Sequence, residues 1–189
     1  MSSSERNNRP ILQRRRQTVR EICIFAMLGA LMFCSKIIME ALPNIHLIGM
    51  LTMAYTVAFR HKALIPVYVF VFLTGLYAGL YGGFAYWWAF YLYVWAVLWA
   101  VTMLLPRRMP KRVATVVYAL ICGLHGLFFG VLCAPAQALM FGFNLKQSLA
   151  WIASGFYFDI LHAAGNVAAG LLILPLSALL KRLMAKRPY

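Results

Sequence analysis

Acidic side chains are scarce in this chain of 189 residues, which has four: Glu5, Glu21, Glu40 and Asp159. A metal-dependent hydrolase inside a membrane usually needs more carboxylate ligands than these scattered positions supply. The sequence also lacks the phosphate-binding G-x-x-x-x-G-K-[ST], the zinc-binding H-E-x-x-H and the nucleophilic G-x-S-x-G. We therefore predict that the chain has no catalytic residue, is not an enzyme and holds no cofactor.

Metal-ligand spacing is missing as well. The four cysteines, Cys23, Cys34, Cys122 and Cys133, lie within apolar runs, and no two of them form a C-x-x-C pair. Buried cysteine behaves as a small hydrophobic residue when no partner is near. The histidines are scattered without ligand spacing, so we predict no metal site.

Charge is also low overall, because 12% of the residues are charged whereas 63% are hydrophobic, and the mean hydropathy is +0.77. A soluble domain has about 25% charged residues. The composition therefore predicts an integral membrane protein. Six apolar segments fit a membrane crossing, at least approximately, and predict an all-α, compact bundle of six transmembrane helices: 20–42, 46–60, 62–81, 84–105, 112–141 and 148–181.

Two prolines predict interruptions in the last two segments. Pro135 predicts a break near the outer end of the fifth segment, because proline removes a backbone donor. Pro175 and several glycines predict a bend in the sixth segment or a separate short helix before Tyr157.

The basic residues show which side of the membrane each end occupies. All of the 18 lysines and arginines except Lys36 and Lys146 fall at the N-terminus, after segments 2 and 4, or at the C-terminus. Loops rich in Lys and Arg stay in the cytoplasm, so both termini are predicted to be cytoplasmic. We expect a disordered basic segment at 1–18, a transmembrane domain at 19–185 and a cytoplasmic tail at 186–189. The net charge of +14 then matches anionic lipid and not nucleic acid.

Polar side chains of the predicted helices gather near the outer boundary. Lys36 lies about 24 Å beyond Arg20 at the helical rise per residue, and Glu40 lies one turn further out. Lys36 and Glu40 either pair with each other, or one of them receives a charged group of a ligand. Gln137 falls near the same outer boundary, whereas His46 and His125 are interpreted as structural.

A second polar group lies in the sixth segment. Asp159, His162 and Asn166 share one helix face with Gly155, because they are three and seven residues apart. A carboxylate in lipid costs about 2.5–3.5 kcal/mol, so this face is predicted to point into the bundle. The three side chains either contact a ligand or have a structural role. The structural role is an interhelical hydrogen-bond cluster or an ion pair between Asp159 and Lys36.

Aromatic residues dominate the fourth segment. A stripe at helical period is formed by Phe84, Trp88, Tyr91, Trp95 and Trp99. The segment also contains Tyr86, Trp87, Phe90 and Tyr93, which lie outside the stripe. A belt at the membrane surface needs rings at the helix ends and not along its whole length. We therefore expect Trp88, Tyr91 or Trp95 to line a pocket for a flat ring, or else to pack against lipid or core.

Over about 20–186, the chain resembles the substrate-binding S component of energy-coupling factor (ECF) transporters. The resemblance rests on six short helices with both termini inside and on Ala26-x-x-x-Ala30 in the first helix. It also rests on the helix exit Leu42-Pro43-Asn44-Ile45-His46 and on the polar and aromatic outer ends of helices 4 to 6.

The resemblance implies a prokaryotic cell-membrane protein that captures a vitamin or similar micronutrient from outside. It implies docking through Ala26 and Ala30 onto a transmembrane T component that carries two ABC-type ATPases. The pocket residues vary within the family, so the candidates here come from position and chemistry: Lys36, Glu40, Trp88, Tyr91, Trp95, Gln137, Asp159, His162 and Asn166. A flat nitrogenous ring is favoured over an aliphatic chain. The start Met-Ser-Ser, where the metal-specific branch has Met-His, argues against cobalt or nickel.

Other functions remain open from the sequence. The main alternative is a stand-alone, proton-coupled secondary permease that uses Asp159 and His162. A small intramembrane enzyme or a structural subunit of a helical bundle is a further alternative.

Overall fold

Helices account for nearly all of the chain in the computed structural model, which describes residues 3–42, 44–81 and 88–185. Pro43, Phe84, Tyr86, Trp87 and the predicted tail at 186–189 lie outside these ranges. The helices are α1 (Ser3–Ile38), α2 (Ile48–Phe59), α3 (Leu64–Tyr81), α4 (Tyr91–Leu104), α5 (Lys111–Leu127), α6 (Phe129–Phe141), α7 (Leu145–Gly170) and α8 (Ile173–Ala185). A 3-10 turn at Arg60–Ala63 joins α2 to α3.

Several of these helices are long and apolar enough to cross a membrane. Three stretches of the described residues qualify: Gln17–Ile38, Ile48–Leu80 and Lys111–Phe141. The bent pair α7–α8 is a fourth if it counts as one span. The chain is thus all-helical where it is described, and its apolar helices are compatible with a multi-pass membrane bundle.

The helices coincide with the six predicted segments, but their ends differ. The helix α1 begins at Ser3 and so includes most of the segment predicted to be disordered. The fifth segment is interrupted at Phe128, between α5 and α6, whereas Pro135 lies inside α6. The sixth segment bends by 50° after Gly170, and no separate helix precedes Tyr157, because α7 is continuous from Leu145. Pro175 is the third residue of α8, where a backbone donor has no partner within the helix.

Contacts with α1 show how the chain reverses between α2 and α3. The Phe25 ring lies 5.3 Å from that of Phe59, and the Tyr55 hydroxyl, earlier in α2, donates to the Leu28 carbonyl. Later in α1, Phe33 contacts Tyr77 of α3. The helix α2 therefore runs antiparallel to α1, and α3 runs parallel to it. The turn between them includes Arg60, whose φ is +57°.

The basic residues of different helices meet at one end of the bundle. Lys62 Nζ lies 2.6 Å from Glu21 Oε2, and Arg20 donates to the carbonyl of Leu183 in α8. Arg60 donates to the carbonyl of Met103 at the end of α4. We call this the basic end of the bundle.

The helices α5 and α7 pack most closely, because glycine removes the side chain between their backbones. A Cβ on Gly126 would lie 2.9 Å from the Ala163 nitrogen, and one on Gly170 would lie 2.7 Å from the Ala119 Cα. Small residues permit this approach in helical membrane proteins. The next helix, α6, also packs on α7, where Gly130 contacts Asp159.

Candidate functional site

Two adjoining cavities open at the end of the bundle opposite the basic end. The Lys36 cavity has a volume of about 440 Å³ and is lined by Lys36, Met39, Glu40, Leu42, Asn44, Ile45, His46, Phe90, Tyr91 and Phe129. It lies between the end of α1, the connection to α2 and the starts of α4 and α6.

The Asp159 cavity has a volume of about 420 Å³ and lies mainly between α6 and α7. It is lined by Asn44, Phe90, Phe129, Gly130, Cys133, Gln137, Trp151, Ile152, Gly155, Phe158 and Asp159. Asn44, Phe90 and Phe129 line both cavities, and the rings of Phe90 and Phe129 meet edge to face at 5.9 Å. Each volume falls within the range of about 300–1,000 Å³ found for small-molecule sites.

The carboxylate of Asp159 joins α7 to the first turn of α6. Its two oxygens each lie 3.2 Å from the Gly130 nitrogen, whose N–H donates to them. Gly130 is the second residue of α6, where the backbone N–H groups lack partners within the helix and carry a partial positive charge. The break at Phe128 thus creates a helix N-terminus that a side chain from α7 stabilises.

Glycine is required at position 130 for this contact. A Cβ there would lie 2.5 Å from Asp159 Oδ2, which is closer than real contacts allow. Asp159 is 4% exposed, and no Lys, Arg or His side chain lines its cavity in the part of the chain that the structure describes. The carboxylate is therefore held by a backbone amide and not by a basic side chain lining its cavity.

Three histidines and Trp95 form a layer of contacting rings beside the cavities, in which His125, His162 and Trp95 are buried and His46 is half-buried. The His46 and His162 rings are 4.6 Å apart, and His162 is 4.7 Å from the ring of Phe129. Trp95 lies 5.8 Å from His46 and 5.6 Å from His125. Because His46 also lines the Lys36 cavity, this layer forms the floor of that cavity.

Several polar atoms in the floor layer are buried and have no hydrogen-bond partner among the described residues. They are His46 Nδ1, His125 Nδ1, Trp95 Nε1 and both ring nitrogens of His162, which is 1% exposed. Each unpaired buried group costs about 1–3 kcal/mol, so such a concentration is typical of a site that water or a ligand completes.

His46 lies in the connection between α1 and α2, outside the helices. Burial holds its pKa well below the ordinary value, and the neighbouring His162 and Lys36 lower that pKa further. His46 is therefore neutral at neutral pH and can both donate and accept a hydrogen bond.

The structure brings most of the predicted site residues together. Lys36, Glu40 and Tyr91 line the first cavity, Gln137 and Asp159 line the second, and Trp95 and His162 lie in the floor layer. Depth along the helices had placed Lys36, Glu40 and Gln137 near one boundary, the shared helix face had grouped Asp159 with His162, and the aromatic stripe had supplied Tyr91 and Trp95.

Trp88 and Asn166 are not brought to the cavities. Trp88 donates from Nε1 to the Val71 carbonyl and packs on Gly75, so it joins α3 to the approach to α4. Asn166 donates from Nδ2 to the Cys122 carbonyl and joins α7 to α5. Both side chains make interhelical contacts.

Some cavity residues were not among the sequence candidates. Phe129 lies at the centre of the site because α6 begins there, and sequence analysis placed the break at Pro135 instead. His46 was interpreted as structural, although it lines a cavity. The exit motif that contains His46 was a usable signal, since Asn44 and Ile45 line the same cavity.

The face of α1 that carries the predicted docking residues is open along part of its length. Ala26 is exposed and Ala30 is half-buried, and the neighbouring Met27 and Leu31 are also exposed. Gly29, by contrast, faces α3. An apolar strip with small side chains therefore lies on the outside of the bundle.

Comparisons with protein-family models, with curated proteins and with solved structures found no match to this chain. The two cavities are therefore the structural basis for a proposal about function.

Replacing Asp159 tests its role at the start of α6. Asp159→Ala is expected to lower the free energy of unfolding by about 1–3 kcal/mol, because it leaves the Gly130 N–H unpaired. Asp159→Asn keeps an oxygen acceptor, so its free energy of unfolding should fall by clearly less than that of Asp159→Ala. Denaturing-detergent titration followed by circular dichroism measures both, with Gln137→Ala as the control in the same cavity. An Asn variant as unstable as the Ala variant, or no loss in either, would contradict the assigned contact.

Proposed function

We propose that this chain is the substrate-capturing membrane subunit of an ECF-type transporter. It binds a vitamin or related small, flat heterocyclic micronutrient from outside the cell. It then delivers the compound inward on docking to a transmembrane T component and two ABC-type ATPases. The observation that carries this proposal is the pair of adjoining cavities, with shared aromatic walls, at the end opposite the basic residues.

The proposal includes six membrane spans with both termini in the cytoplasm of a prokaryotic cell. The alternation of helix direction in α1, α2 and α3 is consistent with that topology, as is the meeting of Arg20, Arg60 and Lys62 at one end. Because the positive-inside rule assigns the basic end to the cytoplasm, both cavities face outward.

The chemistry of the cavities supports capture of a small molecule. Phe90, Tyr91 and Phe129 give flat apolar walls, and Asn44 and Gln137 supply polar atoms. Apolar walls with a few placed polar groups are characteristic of sites for small organic ligands.

The packed apolar interior beneath the floor layer supports the proposal of a binding subunit over that of a channel. Ile48, Met53 and Leu98 are fully buried apolar side chains on α2 and α4. A compound bound at the outer end would therefore meet packed side chains, and inward release requires movement of the subunit. The proposed partner proteins supply that movement.

The exposed strip of α1 supports docking to a membrane partner. Alanine loses little side-chain entropy when it is buried, and small residues let two helices approach closely. Ala26 and Ala30 thus favour contact with another transmembrane helix.

A stand-alone, proton-coupled permease is the second candidate. It is favoured by the buried carboxylate of Asp159 and by the buried histidines in the floor layer, since such groups in membrane helices often carry protons. This function predicts transport in vesicles that contain the chain alone, driven by a pH gradient, whereas the ECF function predicts none.

Native mass spectrometry of the detergent-purified chain tests capture. We expect one retained small molecule per chain, and denaturing extraction will identify it. Gly155→Leu should abolish retention because the new side chain would fill the Asp159 cavity, where a Cβ on Gly155 meets no atom within 4 Å. Gly79→Leu is the matched control, since a Cβ there also meets nothing within 4 Å and Gly79 lies outside both cavities. An empty wild-type protein, or equal retention in both variants, would count against the proposal.

A double substitution tests the docking face. Ala26→Phe with Ala30→Phe should abolish uptake in cells that express the complete transporter, because the bulky rings keep the partner helix away. Retention of the small molecule by the purified variant should be unchanged. Met27→Phe is the control, since that side chain is 71% exposed beside the strip and already large. Normal uptake by the double variant would show that α1 does not dock through these residues.

A further inference from the structure

The Asp159 cavity is lined by aromatic rings and by one negatively charged side chain among the described residues. Four aromatic residues line it, and they come from three parts of the chain: Phe90, Phe129, Trp151 and Phe158. Among the described residues that line it, Asp159 is the charged one. A cavity with this composition has a negative carboxylate and the negative faces of aromatic rings, and no lining group of positive charge balances them.

Burial raises the free-energy cost of a negative charge that has no countercharge. Asp159 is 4% exposed, and the Gly130 N–H that it accepts from supplies only the partial positive charge of a helix N-terminus. A charge that is removed from water needs a full countercharge or a proton. Lys36 lines the neighbouring cavity and does not line this one.

The position of the carboxylate leaves room for a countercharge to enter. Both of its oxygens share one backbone donor, so each retains capacity to accept further hydrogen bonds or to face a cation. On the α7 side, Gly155 keeps the cavity open, because no heavy atom lies within 4 Å of where its Cβ would be.

We infer that the Asp159 cavity binds the positively charged part of an organic cation, such as a quaternary ammonium group or an N-alkylated aromatic ring. Aromatic faces attract such cations, and the carboxylate supplies the countercharge. The inference rests on the proposed function and makes it narrower, since the captured micronutrient would carry a permanent positive charge. The remainder of the compound would extend past Asn44, Phe90 and Phe129 into the Lys36 cavity.

Matched pairs of probes separate the effect of charge from that of shape. One pair is 1-methylnicotinamide, a cation, and nicotinamide, which is neutral. The other is tetramethylammonium and neopentyl alcohol, which have similar shapes. Isothermal titration of the purified wild-type chain is expected to show about tenfold tighter binding of the charged member of each pair.

Three variants of the chain test the residues. Asp159→Asn should remove the preference for the charged probe, because the amide has nearly the same shape and no charge. Trp151→Leu should reduce the preference by removing one aromatic wall. Glu21→Gln is the control, since it removes a carboxylate that pairs with Lys62 at the basic end, away from both cavities. Circular dichroism checks that each variant is folded, and Trp151→Leu keeps the test valid if Asp159→Asn is not.

Each outcome bears on the inference. No preference of the wild type for a charged probe would overturn it, as would a preference that survives both Asp159→Asn and Trp151→Leu. A neutral or anionic molecule found by native mass spectrometry would overturn the inference and leave the proposed function standing. An empty protein that responds to no probe would count against both.

Discussion

The carboxylate of Asp159 and the backbone amide of Gly130 connect α7 to the start of α6, and the Asp159 cavity is built around this contact. The contact lies where α6 begins after Phe128, and Gly130 leaves room for the carboxylate, since a Cβ there would meet Asp159 Oδ2. The same break places Phe129 between the two cavities and above His162. A helix terminus that needs a partner thus explains both the shape of the site and the charge within it.

The two ends of the bundle differ in how their polar groups are paired. At the basic end, Lys62 pairs with Glu21, and Arg20 and Arg60 donate to backbone carbonyls, although Arg60 Nε is buried without a partner among the described residues. At the opposite end, a carboxylate lacks a basic partner within its cavity, and the floor layer contains ring nitrogens without partners in the described part of the chain. Buried polar groups of this kind weaken a fold unless something binds them. The unpaired groups at the cavity end therefore have a cost in stability that a bound molecule would offset.

Hydropathy was enough to predict where the helical segments lie, because it depends on local composition. Depth, which depends on the helical rise, placed Lys36, Glu40 and Gln137 near one boundary, where they line the two cavities. The ends of the helices were harder. A proline inside α6 was accommodated, and the break occurred at Phe128, where Asp159 of a distant helix stabilises the new terminus. The aromatic stripe left open whether Trp88, Tyr91 and Trp95 line a pocket or pack against lipid or core. A helical period does not show which neighbours each ring has, so it could not predict that Trp95 is buried or that Trp88 contacts Val71.

Capture from outside requires that the cavities face the outside of the cell, and thiol labelling measures this directly. Asn44→Cys places a thiol where both cavities meet, and Arg108→Cys places one between α4 and α5, where the positive-inside rule predicts cytoplasm. A membrane-impermeant maleimide applied to intact cells should label Asn44→Cys above the level of the unsubstituted chain. It should label Arg108→Cys only in inverted membrane vesicles. The opposite pattern would place the cavities in the cytoplasm and contradict uptake by capture from outside.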